Sequence, residues 1–200
     1  MLVGTNLAYP RRLRPTSVTI RHRDRLLITG ENGSGTSTLL KIIGGQLGRH
    51  EGSVNAPGRL RINALAQDVG TILNQKTVGR DWRELSVSDA YRQAVGEELS
   101  DRVSLNTFGL LPGRDQNRPV SSLSTGQQRR LELAVLLADP PDILLLDEPT
   151  NHFSLKLTTE LEESIARYPG AVVVASHDRW LRQRWEGRVI HLRSVTENDG

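Results

Sequence analysis

The run Gly30-Glu31-Asn32-Gly33-Ser34-Gly35-Thr36-Ser37 has the residue types that wrap a backbone around a phosphate. The phosphate-binding pattern asks for Gly, four residues, Gly, Lys, then Ser or Thr. Thr36 stands where the lysine belongs, and the rest of the pattern is met. Glycines let the chain turn tightly, and a helix opening after them presents free N–H groups and a positive dipole end. Ser37 supplies a hydroxyl for Mg²⁺, with Thr38 following it into the helix. The missing ammonium would be the one full positive charge on a transferring phosphate. The loop speaks for phosphate binding and against rapid transfer.

A second group lies far downstream. Ile143-Leu144-Leu145-Leu146-Asp147-Glu148-Pro149-Thr150 is an apolar run that ends in two carboxylates. It reads as a buried parallel strand delivering Asp147 and Glu148 to a site at its C-terminal end. Such a pair suits phosphoryl chemistry, with Asp147 holding Mg²⁺ and Glu148 polarising an attacking water. An ordinary strand followed by a polar turn is the plainer alternative, and the loop upstream weighs against it. Upstream of that strand, Leu123-Ser124-Thr125-Gly126-Gln127-Gln128-Arg129-Arg130 precedes the helical spacing Leu131, Ala134, Val135, Leu136, Ala138. Ser124 opens this helix with a hydroxyl and free N–H groups, again chemistry that suits an anion.

These groups need elements to place them. Arg25-Leu26-Leu27-Ile28-Thr29 predicts a short buried strand running into Gly30, and Thr38 to Ile43 predicts a helix stopped by Gly44-Gly45. The segment from Trp82 to Val95, with Leu85, Val87, Ala90, Tyr91 and Ala94, predicts one or two amphipathic helices.

Composition narrows the classes. The 200 residues, 36% hydrophobic, suffice for one α/β core, alone or with a small subdomain. The absence of cysteine excludes disulfides and thiolate metal sites. No apolar signal core or membrane-length run is present, so the chain is expected to be cytoplasmic. The net charge of +3 comes almost wholly from arginine, since Lys41, Lys76 and Lys156 are the only lysines. Arginines cluster from Arg11 to Arg25 and from Arg179 to Arg193. They read first as a solvated face and second as a surface for RNA phosphates.

The order of motifs resembles the nucleotide-binding domain of an ABC ATPase: phosphate loop, Gln67, Leu-Ser-x-Gly-Gln, Asp-Glu-Pro-Thr, and Ser176-His177-Asp178. The resemblance extends over essentially the whole chain. It implies an α/β P-loop NTPase of ABC type, with a mixed sheet core, an N-terminal antiparallel portion and a small helical subdomain near residues 70–130. Residues 1–200 would form a single such domain. It further implies that Mg²⁺-ATP is bound by residues 30–38, with Tyr9 stacking on adenine and Ser37, Gln67 and Asp147 around the metal. Glu148, Gln67 and His177 become the catalytic candidates. Ser124, Thr125, Gly126 and Gln127 would contact ATP held by a second ABC domain, identical or different, paired head to tail.

Asn151-His152 after Asp-Glu-Pro-Thr resembles the ABC-F branch, whose members act on ribosomes. Within it, the stretches 124–134 and 170–179 look like the C-terminal domain of actinobacterial members labelled macrolide-resistance or macrolide-transport ATP-binding proteins. That places ribosomal RNA among the expected partners, through a longer protein of which this chain would be the second half. Two rival expectations stand beside it. One is a nucleotide-binding subunit of a membrane transporter; the other is a non-hydrolysing module that completes a partner's ATP site. Phe153-Ser154 also departs from the usual Leu-Asp, removing a carboxylate from the loop that couples paired sites.

Overall fold

The computed structural model describes residues 1–56, 58–65, 70–77, 79, 81–150 and 155–195. Two compact units emerge: residues 1–64, 141–150 and 168–200 form one, and residues 65–140 and 151–167 the other.

The first unit holds two sheets. Strands β1 (Leu2–Tyr9), β2 (Leu13–Ile20) and β4 (Glu51–Asn55) form an antiparallel sheet in the order β2-β1-β4. Tyr9 ends the middle strand, opposite Leu13. The second sheet runs β5-β6-β7-β3-β8, built from β3 (Arg25–Gly30), β5 (Ile62–Leu65), β6 (Ile143–Asp147), β7 (Ala171–Ala175) and β8 (Arg188–Leu192). The pairs β6–β7, β7–β3 and β3–β8 are parallel. The registers put Asp147 beside Ala175, and Gly30 beside Leu192.

Unbroken apolar runs explain the parallel strands. Leu26, Ile28, Ile143, Leu145, Val173 and Ala175 share one core with Leu39, Leu40, Ile42 and Ile43 of helix α1 (Thr36–Ile43). Alternate positions Leu27, Leu144, Leu146, Val172 and Val174 are also buried, as expected of parallel strands covered on both faces. Gly44 caps α1 by donating its N–H to Leu40, the stop read from the sequence.

The second unit is helical: α2 (Thr71–Lys76), α3 (Val87–Val95), α4 (Glu97–Arg102), α5 (Thr125–Ala138) and α6 (Leu155–Arg167). The span beginning at Trp82 yields one helix, α3, capped by the Ser86 side chain, while Trp82 itself is buried and gives its indole N–H to Asn74. Helix α2 has no capping side chain of its own. Instead Glu132 of α5 accepts the Ile72 N–H at 2.7 Å, and burial pushes its carboxyl above the usual range despite that backbone contact. Among the described residues no helix is long and apolar enough to cross a membrane.

Candidate functional site

In the first unit the residues from Gly30 to Ser37 turn directly from β3 into α1. Gly33 and Gly35 adopt left-handed φ values of 83° and 93°, which side chains with a Cβ resist. Gly35 has a second reason to lack a Cβ, since one there would stand 2.2 Å from the backbone oxygen of Arg12. The Ser34 hydroxyl is buried and has no hydrogen-bond partner among the described residues. An orphan donor inside a cradle that excludes Cβ atoms, below the free N–H groups of α1, is what a phosphate oxygen would satisfy. Helix pairing begins only at Leu39, whose N–H reaches Gly35 O at 2.8 Å. Thr36 is half-buried at the start of α1 and carries no charge. Glu31 accepts the Ser194 hydroxyl at 3.3 Å, which ties the loop to the segment after β8.

Parallel pairing carries the end of β6 to this loop. The Ser37 hydroxyl donates to Asp147 Oδ1 at 3.1 Å, and Asp147 is 7% exposed. A hydroxyl and a buried carboxylate at that separation fit Mg²⁺, which takes few protein ligands and keeps phosphate oxygens and waters for the rest.

The next residue, Glu148, sits at φ +48°, a left-handed conformation unusual outside glycine and asparagine. Its N–H still reaches Ala175 O at 2.9 Å, so the turn is anchored to β7. Its carboxylate accepts from Ser176 Oγ at 3.1 Å, from the His177 N–H at 3.2 Å and from His177 Nδ1 at 2.8 Å. A carboxylate only accepts, so Nδ1 carries a proton. Glu148 is largely covered, at 12% side-chain exposure, while His177 is 60% exposed. A carboxylate fixed by three donors, beside an open imidazole, can orient a water and take its proton. Just beyond, Asp178 caps helix α7 (Arg179–Arg184) and accepts the Thr150 hydroxyl at 3.3 Å.

The turn that follows Tyr9 packs on the loop at Gly35. Arg12 donates its N–H to Tyr9 O at 3.0 Å, and its guanidinium lies 6.0 Å from the Tyr9 ring centre.

In the second unit Ser124 caps α5 in a reciprocal box. Its hydroxyl accepts the Gln127 N–H at 3.3 Å, and Gln127 Oε1 accepts the Ser124 N–H at 2.9 Å. Gln127 Nε2 donates onward to buried Asp115 at 2.9 Å. Ser124 and Thr125 are exposed, and a Cβ on Gly126 would meet open space. This helix end offers N–H groups and a hydroxyl to an approaching anion.

The structure thus brings Ser37 to Asp147 and Glu148 to His177, as a site at this strand end requires. Gln67, Asn151, His152, Phe153 and Ser154 lie outside the described residues. Sequence reasoning assigned no role to Ser176, Arg12 or Ser194. Ser176 had a signal, since it precedes His177 in a run already singled out; the other two contacts join residues with no motif of their own.

Comparisons with known proteins bear on the family and the fold. The profile of the ABC transporter family matches residues 13–151. The chain is 41% identical over 186 residues to the tylosin resistance ATP-binding protein TlrC of Streptomyces fradiae, covering 91% of this chain and 31% of that protein. It is 34% identical to the putative ATP-binding protein YdiF of Bacillus subtilis over 208 residues, which is 86% of this chain and 32% of YdiF. With the energy-dependent translational throttle protein EttA of Mycobacterium tuberculosis it shares 35% over 167 residues, 80% of this chain and 29% of EttA. The chain therefore spans about a third of the length of these relatives. Among solved structures, a dimeric ATP-binding cassette in a post-hydrolysis state with ADP and Pi superposes with a TM-score of 0.75 at 23% identity, over 98% of this chain and 97% of that one.

Proposed function

Because the chain belongs to the ABC transporter family and resembles its ABC-F members, we propose that it binds Mg²⁺-ATP between Tyr9, residues 30–38 and the end of β6. The observation that carries this reading is the 3.1 Å contact from Ser37 to Asp147, which joins the phosphate loop to the acidic strand end. Those two residues would hold Mg²⁺, with Gln67 as a further ligand. The metal would supply charge neutralisation on the phosphates. Tyr9 stacks on the base; Gly33, Gly35 and the N–H groups opening α1 wrap the phosphates. Glu148 would take the proton of the attacking water, and His177 would hold that carboxylate through Nδ1 and contact the terminal phosphate.

Ser124 to Gln127 act in trans on ATP held by a second ABC domain paired head to tail. The greater length of the relatives supports a longer ABC-F-type protein, which we read as acting at the ribosome in macrolide resistance with this chain as its second half. The tylosin-resistance relative supports the drug class and the translational relative supports the partner.

Thr36 favours one qualification: turnover by this chain is slow, and its contribution to a partner's site outlasts its own. A lysine contact to phosphate is worth roughly 1.5–3 kcal/mol, about 10- to 150-fold in affinity. Thr36→Lys is therefore expected to tighten Mg²⁺-ATP binding by that factor, measured by calorimetry, and to raise turnover further because part of the contact strengthens in the transition state. Equal affinity and equal, brisk turnover in both proteins would show that Thr36 is no handicap. Absence of binding in both would refute the nucleotide site.

A further inference from the structure

The geometry points to Arg12 as the cation that serves the phosphates in place of the lysine missing at position 36. This rests on the nucleotide reading above and adds to it a residue outside the phosphate-binding pattern. The chain is lysine-poor, and the lysine on α1, Lys41, lies in its last turn, at the end away from the loop. Two other arginines of the first unit, Arg25 and Arg188, are engaged. Arg25 donates to Gly170 O at 2.8 Å and to Tyr168 O, while Arg188 pairs with Asp24 at 2.8 Å.

Arg12 differs in position and in freedom. Its backbone oxygen would stand 2.2 Å from a Cβ on Gly35, and the Cα of Leu13 only 3.1 Å from it. The turn carrying Arg12 is thus in contact with the residue directly before Thr36. On its other side the guanidinium lies 6.0 Å from the Tyr9 ring centre, at the outer limit of a cation–π contact. The side chain is exposed and makes no ion pair among the described residues. The residue carrying this guanidinium thus joins the two parts of the candidate site: its backbone packs on the loop at Gly35, and its side chain lies beside the Tyr9 ring. It is long, permanently charged and forked, which suits two phosphate oxygens at once. Because it approaches from the β1–β2 turn and not from within the loop, it supplies charge without the covalent placement a loop lysine has. That fits binding better than transition-state stabilisation.

A double-mutant cycle on the full chain tests this, read as Mg²⁺-ATP affinity. Arg12→Ala is expected to weaken binding about tenfold in the natural background and less than about threefold in a Thr36→Lys background, where the loop has its own cation. Arg12→Lys should keep most of the affinity. Arg11→Ala and Arg193→Ala, neighbouring cations, should cost less than about twofold. Binding of adenosine should be insensitive to Arg12→Ala, since it has no phosphate. An equal loss in both backgrounds, an equal loss for ATP and adenosine, or coupling that follows Arg11 or Arg193 instead would overturn the assignment. So would a natural chain that binds nothing beside a Thr36→Lys chain that binds well. If neither chain binds Mg²⁺-ATP, the nucleotide reading fails first and this inference with it.

Discussion

Glu148→Gln in a Thr36→Lys background is expected to keep Mg²⁺-ATP binding while turnover falls about 10²- to 10⁴-fold, the usual contribution of a general base. The amide is nearly the same size, and its oxygen can still accept from the His177 N–H and Nδ1, the bonds that Oε1 now receives. At the other position the amide donates, and the Ser176 hydroxyl, now a donor to Oε2, can rotate and accept instead. The turn therefore survives with its hydrogen bonds satisfied while the basic oxygen is lost. ATP affinity, melting temperature and turnover measured on the same samples separate the two roles. Turnover that stays within a few-fold, or that drops only in step with folding, would leave Glu148 a structural carboxylate. An ATP-bound pair with a second domain should also last longer in the variant if hydrolysis is what releases the pair.

Ser124→Asp is expected to abolish any stimulation that this chain gives to a partner ABC domain, whereas Ser124→Asn should leave most of it. Both replacements cap helices about as well as serine, so the α5 terminus stays formed. They differ in charge. Aspartate puts a carboxylate where a partner's terminal phosphate would come, and like charges at contact in a partly desolvated interface cost several kcal/mol. Stimulated hydrolysis by a mixed pair is the measurement, with association checked separately. Equal stimulation by the two variants would show that the helix end does not meet the phosphate.

Why so much of this site was legible follows from where its parts lie. Gly30 to Ser37 works through backbone geometry, and glycine at positive φ leaves a trace in the sequence as glycine. The strand Ile143–Asp147 is buried on both faces, so it reads as an unbroken apolar run that ends where the carboxylates begin. Ser124 announces α5 because capping chemistry is local, three residues from Gln127. The contacts that went unread are those made by the folding of distant segments. Nothing in the sequence places Ser176 on Glu148, 28 residues apart, or Glu132 on the first turn of α2, 60 residues away. Arg12 was read within a cluster of arginines, and only the packing of its backbone against Gly35 separates it from its neighbours. Helix α6 was not foreseen at all; it completes a unit whose remainder lies some fifteen residues upstream, beyond one strand, β6, that belongs to the other unit.

The φ of +48° at Glu148 sets the needs of the fold against those of the chemistry. Left-handed backbone costs a residue with a full side chain about 1–2 kcal/mol, and glycine almost nothing. The chain carries that burden at the very residue whose carboxylate the three donors hold in place. Relieving the strain with Glu148→Gly would at the same stroke strip the Ser176 hydroxyl and the His177 N–H and Nδ1 of their acceptor, so an easy backbone and an anchored carboxylate compete at this one position.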